Sequence, residues 1–326
     1  VTQAVVEAAA QGNVAGLSHV LEVEVAERLC EVIPCAERVR FLKSGAEGVA
    51  AAVRIARAHT GRSLVLGAGY FGWLDWWSDA AGVPAGAHAD FRAIPFDDAN
   101  ALRDAARAAG DRLAAVVLEP VVERAPSDEW LATARQVCDS LGAVLIFDEM
   151  KTGFRVRTGG YQDMGPVLPD LAVFGKAMAN GYPLAAVVGT ERVMRAARST
   201  WISSTLAGEA VGLAAARAVL DAHASADVCA ILRSTGGAMR GAVERAIEAS
   251  GITGVGVRGI EPMWLMDFGS EARRSRFVEL ALARGVLFKR GAYNFAAVAH
   301  DDEAMGQIEH AARGAFVAMA AEERDG

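Results

Sequence analysis

Two kinds of hydrophobic pattern alternate along the chain. Short apolar runs are typical of strands buried in a sheet, whereas apolar residues at every third or fourth position are typical of amphipathic helices. The predicted strands are 38–42, 64–66, 113–118, 143–147, 171–174 and 185–188. The predicted helices are 2–10, 19–32, 44–59, 130–141 and 207–223. This alternation predicts an α/β fold with a mostly parallel sheet that helices cover on both faces.

The pattern changes after about residue 223, where we expect a smaller α+β domain. Its predicted elements are a strand over 260–268, a helix over 272–284, a strand over 285–288 and an amphipathic helix over 302–320. The chain is therefore divided into an N-terminal helical segment at 1–37, a large domain at 38–222 and a small domain at 223–326. Active groups are expected in the large domain, at the carboxyl ends of its strands.

Composition and charge narrow the class of protein. The chain has 326 residues, 52% of them hydrophobic and 22% charged, as is usual for a globular protein. Its net charge of −7 argues against nucleic-acid binding, and no apolar run is long enough to span a membrane. The four cysteines form no Cys-x-x-Cys pair and have no histidines clustered near them. We therefore expect no metal site and no disulfide framework, which fits a cytoplasmic protein.

The first candidate for chemistry is Lys176, which follows an apolar strand and Gly175. An ammonium is costly to desolvate, so partial burial lowers its pKa and makes the amine a better nucleophile. A neutral lysine is what a Schiff base with an aldehyde cofactor requires. The alternative is a strand-end lysine that extends to the surface, and on these residues alone that alternative is favoured.

Carboxylates follow two other predicted strands. Asp148 closes a run of five apolar residues, and Glu119 ends the strand before it. A buried carboxylate needs a donor or a cation, and the protonated nitrogen of a pyridine ring would be such a partner for Asp148. Hydrogen bonds from backbone amides are the alternative, and the residues alone do not decide between the two.

Two further segments suggest contacts to a phosphorylated, planar ligand. Ser44 and Glu47 have the spacing of a capping box, and the helix that they open starts with Gly45 and Ala46, whose amides would be open to a phosphate. An ordinary capped helix is the alternative. Aromatic residues from Tyr70 to Trp77 form a loop after a strand, and one ring could stack on a cofactor. Loop packing is the alternative for every ring except Tyr70.

Taken in order, these segments resemble the class III aminotransferases, which are fold-type-I pyridoxal-phosphate (PLP) enzymes. The likeness is nearest to the branch that includes glutamate-1-semialdehyde aminomutase and runs through nearly the whole chain. The segments that carry it are Arg-Phe-Leu-Lys-Ser-Gly-Ala-Glu at 40–47, Gly-Tyr-Phe-Gly-Trp-Leu-Asp-Trp at 69–76, Phe-Asp-Glu-Met-Lys-Thr-Gly-Phe-Arg at 147–155, Phe-Gly-Lys at 174–176 with Gly-Tyr-Pro at 181–183, and Ser-Ser-Thr-Leu at 203–206. The resemblance implies the type I fold, with a large domain built on a mostly parallel sheet and a smaller C-terminal α+β domain.

The resemblance also implies a role for each site residue. Lys176 would form the Schiff base with PLP and move the proton, and Asp148 would pair with the pyridine nitrogen. Ser44, Gly45 and Ala46 would bind the phosphate, and Tyr70 and Met150 would contact the two faces of the ring. Phe71 would lie next to the cofactor, and Glu119 would lie on the substrate side. Thr205 would reach the phosphate of the cofactor in a partner subunit. The last contact makes a homodimer necessary for a complete site.

The chain departs from the family pattern in three places. Phe71 stands where the family commonly has His, which makes the pocket more apolar. Residues 207–210 read Ala-Gly-Glu-Ala in place of the usual Gly-Asn-Pro. The sequence starts at Val1 with no initiator Met or signal-peptide pattern, and the family's segment before this point is absent from it, so we expect that earlier residues are missing or were removed.

These observations predict a PLP-dependent aminotransferase acting on an amino acid, an amino sugar or another amine through Lys176. One alternative is a 2,1-aminomutase of the glutamate-1-semialdehyde type, or a racemase or decarboxylase, since these share the first steps. A second alternative is a non-catalytic subunit with the PLP fold, which the replacement at Phe71 motivates. An α/β protein without a cofactor ranks last, because it requires every motif to be coincidental.

Overall fold

A computed structural model describes residues 1–291 and 293–325. The chain forms two compact units. The first consists of Val1–Val122 and Pro126–Ala226, and the second of Glu123–Ala125 and Asp227–Gly326. The three-part functional division expected from the sequence stays a prediction.

A seven-stranded sheet forms the centre of the first unit. Its strands are β1 (Arg38–Leu42), β2 (Leu64–Ala68), β3 (Phe91–Ala93), β4 (Leu113–Leu118), β5 (Val144–Asp148), β6 (Leu171–Phe174) and β7 (Ala185–Gly189). Their order is β1-β7-β6-β5-β4-β2-β3; the pairs from β3 to β6 are parallel, and β7 pairs antiparallel with both β6 and β1. The predicted mostly parallel sheet is confirmed, and β3 is an addition to the predicted strands.

The helices of this unit are α1 (Thr2–Gln11), α2 (Val20–Val32), α3 (Gly45–Thr60), α4 (Ala99–Ala109), α5 (Asp128–Leu141), α6 (Glu191–Met194) and α7 (Ala210–Ser225). The predicted capping box opens α3: Ser44 Oγ accepts the Glu47 N–H, and the Glu47 carboxylate accepts the Ser44 N–H. Gly61 ends the helix in the left-handed conformation. The apolar face of α3 is buried in the core that it shares with the sheet. Helix α4 is an addition to the predicted helices.

In the residues that the structure describes, the second unit contains three α-helices and a small antiparallel sheet. Its elements are α8 (Val228–Ser250), β8 (Gly256–Ile260), β9 (Met263–Asp267), α9 (Glu271–Leu282), β10 (Asn294–Phe295) and α10 (Asp302–Asp325). The sheet has the order β10-β9-β8. Within residues 1–291 and 293–325, no helix combines the length and the apolar character needed to cross a bilayer.

One predicted strand of this unit begins too early, and another is wrong. The strand expected over 260–268 is found as β9 at Met263–Asp267, whereas Ile260 ends β8, because the chain turns at Glu261 and Pro262, and proline cannot continue the ladder of backbone hydrogen bonds. Residues 285–288 form no strand. Phe288 instead packs its ring against Phe277 in the core of the unit, at a centroid distance of 5.2 Å, so this apolar run reflects core packing.

Candidate active site

Three of the predicted residues lie at one edge of the large sheet. Glu119 follows β4, Asp148 ends β5, and Lys176 comes two residues after β6. These strands are neighbours and run parallel, with Leu118 opposite Phe147 and Asp148 opposite Val173. The structure therefore brings the two carboxylates and the lysine to the same place, at the carboxyl ends of the strands.

Lys176 occupies an unusual backbone position. Its φ of 48° lies in the left-handed region, which costs a residue other than glycine roughly 1 kcal/mol or more. A single helical turn over Lys176–Ala179 follows and ends at Asn180, which is also left-handed. Burial lowers the pKa of the Lys176 amine, while the negative charges of Asp148 and Glu119 oppose that shift. The net effect of these surroundings is to lower the pKa of the Lys176 amine, which shifts it toward the neutral form.

Asp148 is a buried carboxylate at the end of β5. One of its oxygens, Oδ1, accepts the N–H of Met150 at 3.0 Å. Burial and, to a smaller extent, the charge of Glu119 together raise the pKa of the Asp148 carboxyl to about 7, against the opposing effects of the Met150 hydrogen bond and the charges of Lys176 and Lys151. A carboxylate in this environment gains from a cationic partner, such as the protonated nitrogen of a pyridine ring.

Glu119 links the sheet edge to the aromatic loop. Its Oε2 accepts the N–H of Tyr70 at 2.9 Å, and its Oε1 lies 2.8 Å from Nζ of Lys151. Gly69 allows this approach, since a Cβ there would lie 2.6 Å from Cγ of Glu119. Sequence reasoning missed Lys151: its position three residues after a strand-end aspartate is visible in the sequence, but its contact with Glu119 is not.

The segment before α3 has the form of a phosphate site. The carboxylate of Glu47 accepts the backbone N–H groups of Lys43 and Ser44, at 3.0 and 2.9 Å. In the parts of the chain that the structure describes, the N–H groups of Gly45 and Ala46 have no hydrogen-bond partner. These two donors at the positive end of α3 match the oxygens of a phosphate group.

Met150 packs against two segments: residues 43–46 at the start of α3, called the phosphate segment below, and the turn at 175–180 that holds Lys176. A Cβ on Gly45 would lie 2.8 Å from the Met150 Cε, and a Cβ on Gly175 would lie 2.5 Å from the same atom. The buried thioether therefore fills the space that two glycines leave open. This position between the phosphate donors and Lys176 fits the contact with a cofactor ring that was predicted for Met150.

The two aromatic residues of the loop face different ways. Tyr70 is 62% exposed, and its ring meets Trp77 edge-on at 5.6 Å. Phe71 is 1% exposed and packs into the core against Trp77 and Phe91. Tyr70 is thus open to a ligand, whereas the Phe71 ring is a core residue, and its contact with the cofactor stays a prediction.

Gly72 joins this loop to the phosphate segment. Its φ is 88°, and a Cβ there would lie 2.4 Å from the Cβ of Ala46. The close approach fixes the aromatic loop against the first turn of α3.

Thr205 is exposed and lies in the loop before α7. Arg54 donates to the carbonyl of Trp201 at 2.7 Å, and Arg40 donates to the carbonyl of Ile202. The start of the loop is therefore held by β1 and α3, the elements that flank the phosphate segment.

Comparison with known proteins identifies the family. The family model described as aminotransferase class-III matches residues 83–300, and the chain belongs to this family. The chain is 34% identical over 294 residues to the 2'-deamino-2'-hydroxyneamine transaminase of Streptomyces kanamyceticus, covering 88% of this chain and 74% of that protein. It is 31% identical over 351 residues to the glutamate-1-semialdehyde 2,1-aminomutase of Thermomicrobium roseum, covering 96% of this chain and 81% of that protein. With another curated relative, the match spans 59% of that protein's length.

The fold is also shared with solved structures. The PLP internal aldimine form of the FumI protein of Sphingopyxis sp. MTA144 superposes with a TM-score of 0.95 and 26% identity, over 99% of this chain and 81% of that one. The predicted family, the type I fold and the class of PLP-dependent aminotransferases and aminomutases are confirmed. PLP is the cofactor of this class, and the residues present fit it: the two open amides at Gly45 and Ala46 suit a phosphate, the amine of Lys176 suits an aldehyde, and the buried carboxylate of Asp148 suits a ring nitrogen.

Proposed function

We propose that the protein is an aminotransferase that acts on a small amine or amino acid and binds the aldehyde of PLP covalently through Lys176. The observation that carries the proposal is that Lys176 and the buried Asp148 lie at the carboxyl ends of adjacent parallel strands. Burial lowers the pKa of Lys176, which favours its attack on an aldehyde. Burial raises the pKa of Asp148, so its carboxylate is stabilised by contact with a protonated ring nitrogen.

The remaining contacts of the cofactor are part of the same proposal. Ser44, Gly45 and Ala46 hold the phosphate, supported by the two amides that have no partner within the described chain. Tyr70 and Met150 contact the two ring faces, and Asp148 accepts a hydrogen bond from the ring nitrogen. When bound, PLP supplies a protonated ring that draws electrons from the substrate carbon next to the amine.

The protein's own residues carry the proton. As a free base, the amine of Lys176 would take a proton from the substrate carbon that bears nitrogen and deliver it to another carbon. Asp148, as a carboxylate, keeps the ring nitrogen protonated while this happens. Glu119 holds the backbone of Tyr70 and lies on the substrate side of this group.

A homodimer completes the proposed site. Thr205 is exposed, and its neighbours Trp201 and Leu206 are exposed apolar residues of the kind that a protein interface covers. In the proposed assembly, Thr205 of one subunit reaches the phosphate bound by the other. We also propose a cytoplasmic location, because the cysteine spacing gives no disulfide framework.

A 2,1-aminomutase is the second candidate, favoured by the match to the Thermomicrobium roseum enzyme over 96% of this chain. The two reactions share the roles of Lys176 and Asp148 and differ in the carbon that finally holds the amine. Racemisation and decarboxylation begin in the same way and are distinguished by their products.

One experiment separates these functions. The PLP-loaded protein is mixed in single turnover with a panel of amino acids, amino sugars and simple amines, while visible absorbance is followed and products are identified by mass. A carbonyl product supports the aminotransferase, and a product of unchanged mass with a moved amine supports the aminomutase. Loading of PLP at Lys176 without reaction of any compound contradicts both and supports a non-catalytic subunit. Lys176→Ala is the matched control.

A further inference from the structure

An ion pair that the family motifs do not explain lies at the centre of the site. Nζ of Lys151 is 2.8 Å from Oε1 of Glu119, and the two side chains are only 13% and 6% exposed. Ion pairs so far from solvent are weakly screened, so their charges act on neighbouring groups. Asp148 and Lys176 are two groups on which both charges act.

Glu119 stabilises the aromatic loop, but its negative charge also shifts the pKa values of Asp148 and Lys176. Its carboxylate holds the Tyr70 N–H, and Gly69 gives it room to do so. The same negative charge raises the pKa of Asp148 and opposes the lowering of the Lys176 pKa. Both effects favour the wrong protonation state, because the proposed chemistry needs an ionised Asp148 and a neutral Lys176.

Lys151 acts in the opposite direction on both groups. Its positive charge lowers the pKa of Asp148 and also that of Lys176. Arg155, which donates to the carbonyl of Lys151, adds to the effect on Lys176. The remaining buried acid of this segment, Glu149, accepts hydrogen bonds from Thr152 and from the backbone N–H groups of Tyr161 and Gln162.

We propose that Lys151 is a positioning residue: by pairing with Glu119, it allows that carboxylate to hold the aromatic loop without charging Lys176 or neutralising Asp148. This inference rests on the roles given to Lys176 and Asp148 in the proposed function. The geometry gives it a distinctive signature, since removing either partner alone leaves a charge of opposite sign beside the same two groups.

The test uses Lys151→Met, Glu119→Gln and the double variant, with Lys151→Arg as the variant that keeps the charge. The pKa of Lys176 is measured in the PLP-free protein from the pH dependence of its labelling by acetic anhydride, read by mass spectrometry. The pH dependence of the rate of PLP loading is the second readout. Circular dichroism checks that each variant folds.

Lys151→Met is expected to raise the pKa of Lys176 by about one unit, and Glu119→Gln to lower it by a similar amount, because each removes one of two opposite charges that act on Lys176. At a fixed pH below the Lys176 pKa, this is roughly a tenfold change in the neutral fraction and in the loading rate. The double variant and Lys151→Arg are expected to lie close to the wild type. Shifts in the same direction, or no shift for Lys151→Met, would overturn the proposal.

Labelling reports on Lys176 whether or not this lysine binds PLP. Loss of the opposite shifts therefore contradicts the role of Lys151 alone. A PLP adduct on another lysine, with the shifts intact, contradicts the proposed function and leaves the electrostatic pairing standing.

Discussion

Nζ of Lys43 lies 2.6 Å from Oε1 of Glu209, and the pair joins the phosphate segment to the first turn of α7. Lys43 also donates to the carbonyl of Pro183, in the turn that follows Lys176, at 2.7 Å. Glu209 in turn accepts the N–H groups of Val211 and Gly212 and so caps α7. Glu209 is part of the departure from the family's Gly-Asn-Pro, and this contact gives it a structural role.

Breaking this pair is expected to destabilise the site. Lys43 and Glu209 are 15% and 9% exposed, so Lys43→Met leaves a shielded carboxylate without its cation and lowers the free energy of unfolding by about 3 kcal/mol. PLP affinity should fall as well, since Lys43 precedes Ser44. Urea unfolding and equilibrium dialysis measure the two effects. The control is Arg107→Met, which breaks the exposed pair with Asp104 and should change little. Equal effects of the two substitutions would contradict the account.

The contact of Gly72 with Ala46 is expected to control PLP binding. Gly72→Ala places a methyl group 2.4 Å from the Cβ of Ala46 and displaces the first turn of α3, so PLP affinity should fall by at least about tenfold. Gly82→Ala is the matched control: its φ of 92° imposes the same backbone strain, but nothing lies within 4 Å of the added methyl. If both variants bind PLP alike, the loop does not position the phosphate segment.

Asp148 is expected to lower the stability of the PLP-free protein at high pH. Its pKa is about 7 in the folded protein, against an ordinary value of 3.8, so the folded state binds the proton more tightly. Stability from this group is therefore greatest at acidic pH and is lost as pH rises through about 7. Asp148→Asn removes the loss and should stabilise the PLP-free protein at pH 8 by on the order of 1–3 kcal/mol, and by less at pH 5. Urea unfolding at the two values tests this, and an equal gain at both would count against the buried charge.

Mixed dimers test the role of Thr205. Lys176→Ala removes the amine from its own site, whereas Thr205→Ala is expected to weaken PLP binding in the partner subunit's site. In a hybrid of the two, one site carries both changes and the other carries neither. Refolding the variants together should therefore restore about a quarter of wild-type activity at limiting PLP. Each variant refolded alone is the control, and a mixture no more active than their average would contradict a shared site.

The parts of the site that lie on regular elements could be predicted from the sequence. The capping box at Ser44 and the strand ends at Asp148 and Lys176 are local patterns, and the structure has them where the patterns predicted. Lys151 could not be paired with Glu119 in this way, because 32 positions separate them and only the order of β4 and β5 brings them together.

The error at 285–288 and the buried position of the Phe71 ring, which the sequence does not show, have the same physical origin. The run at 285–288 has the composition of a strand, but Phe288 packs against the aromatic core without a strand partner. At Phe71, the sequence shows the loss of a polar residue but not that the ring turns into the core. In both cases tertiary packing, rather than local pattern, decides where the side chain lies.

The central claim is that Lys176 is the lysine that binds PLP, and one measurement tests it most directly. The protein is loaded with PLP, reduced with borohydride, digested, and mapped by mass spectrometry beside Lys176→Ala and Lys151→Arg. The account predicts a pyridoxyl group on Lys176 in the wild type and in Lys151→Arg, and none in Lys176→Ala. A modified peptide that lacks residue 176, or a stable adduct in Lys176→Ala, would contradict it.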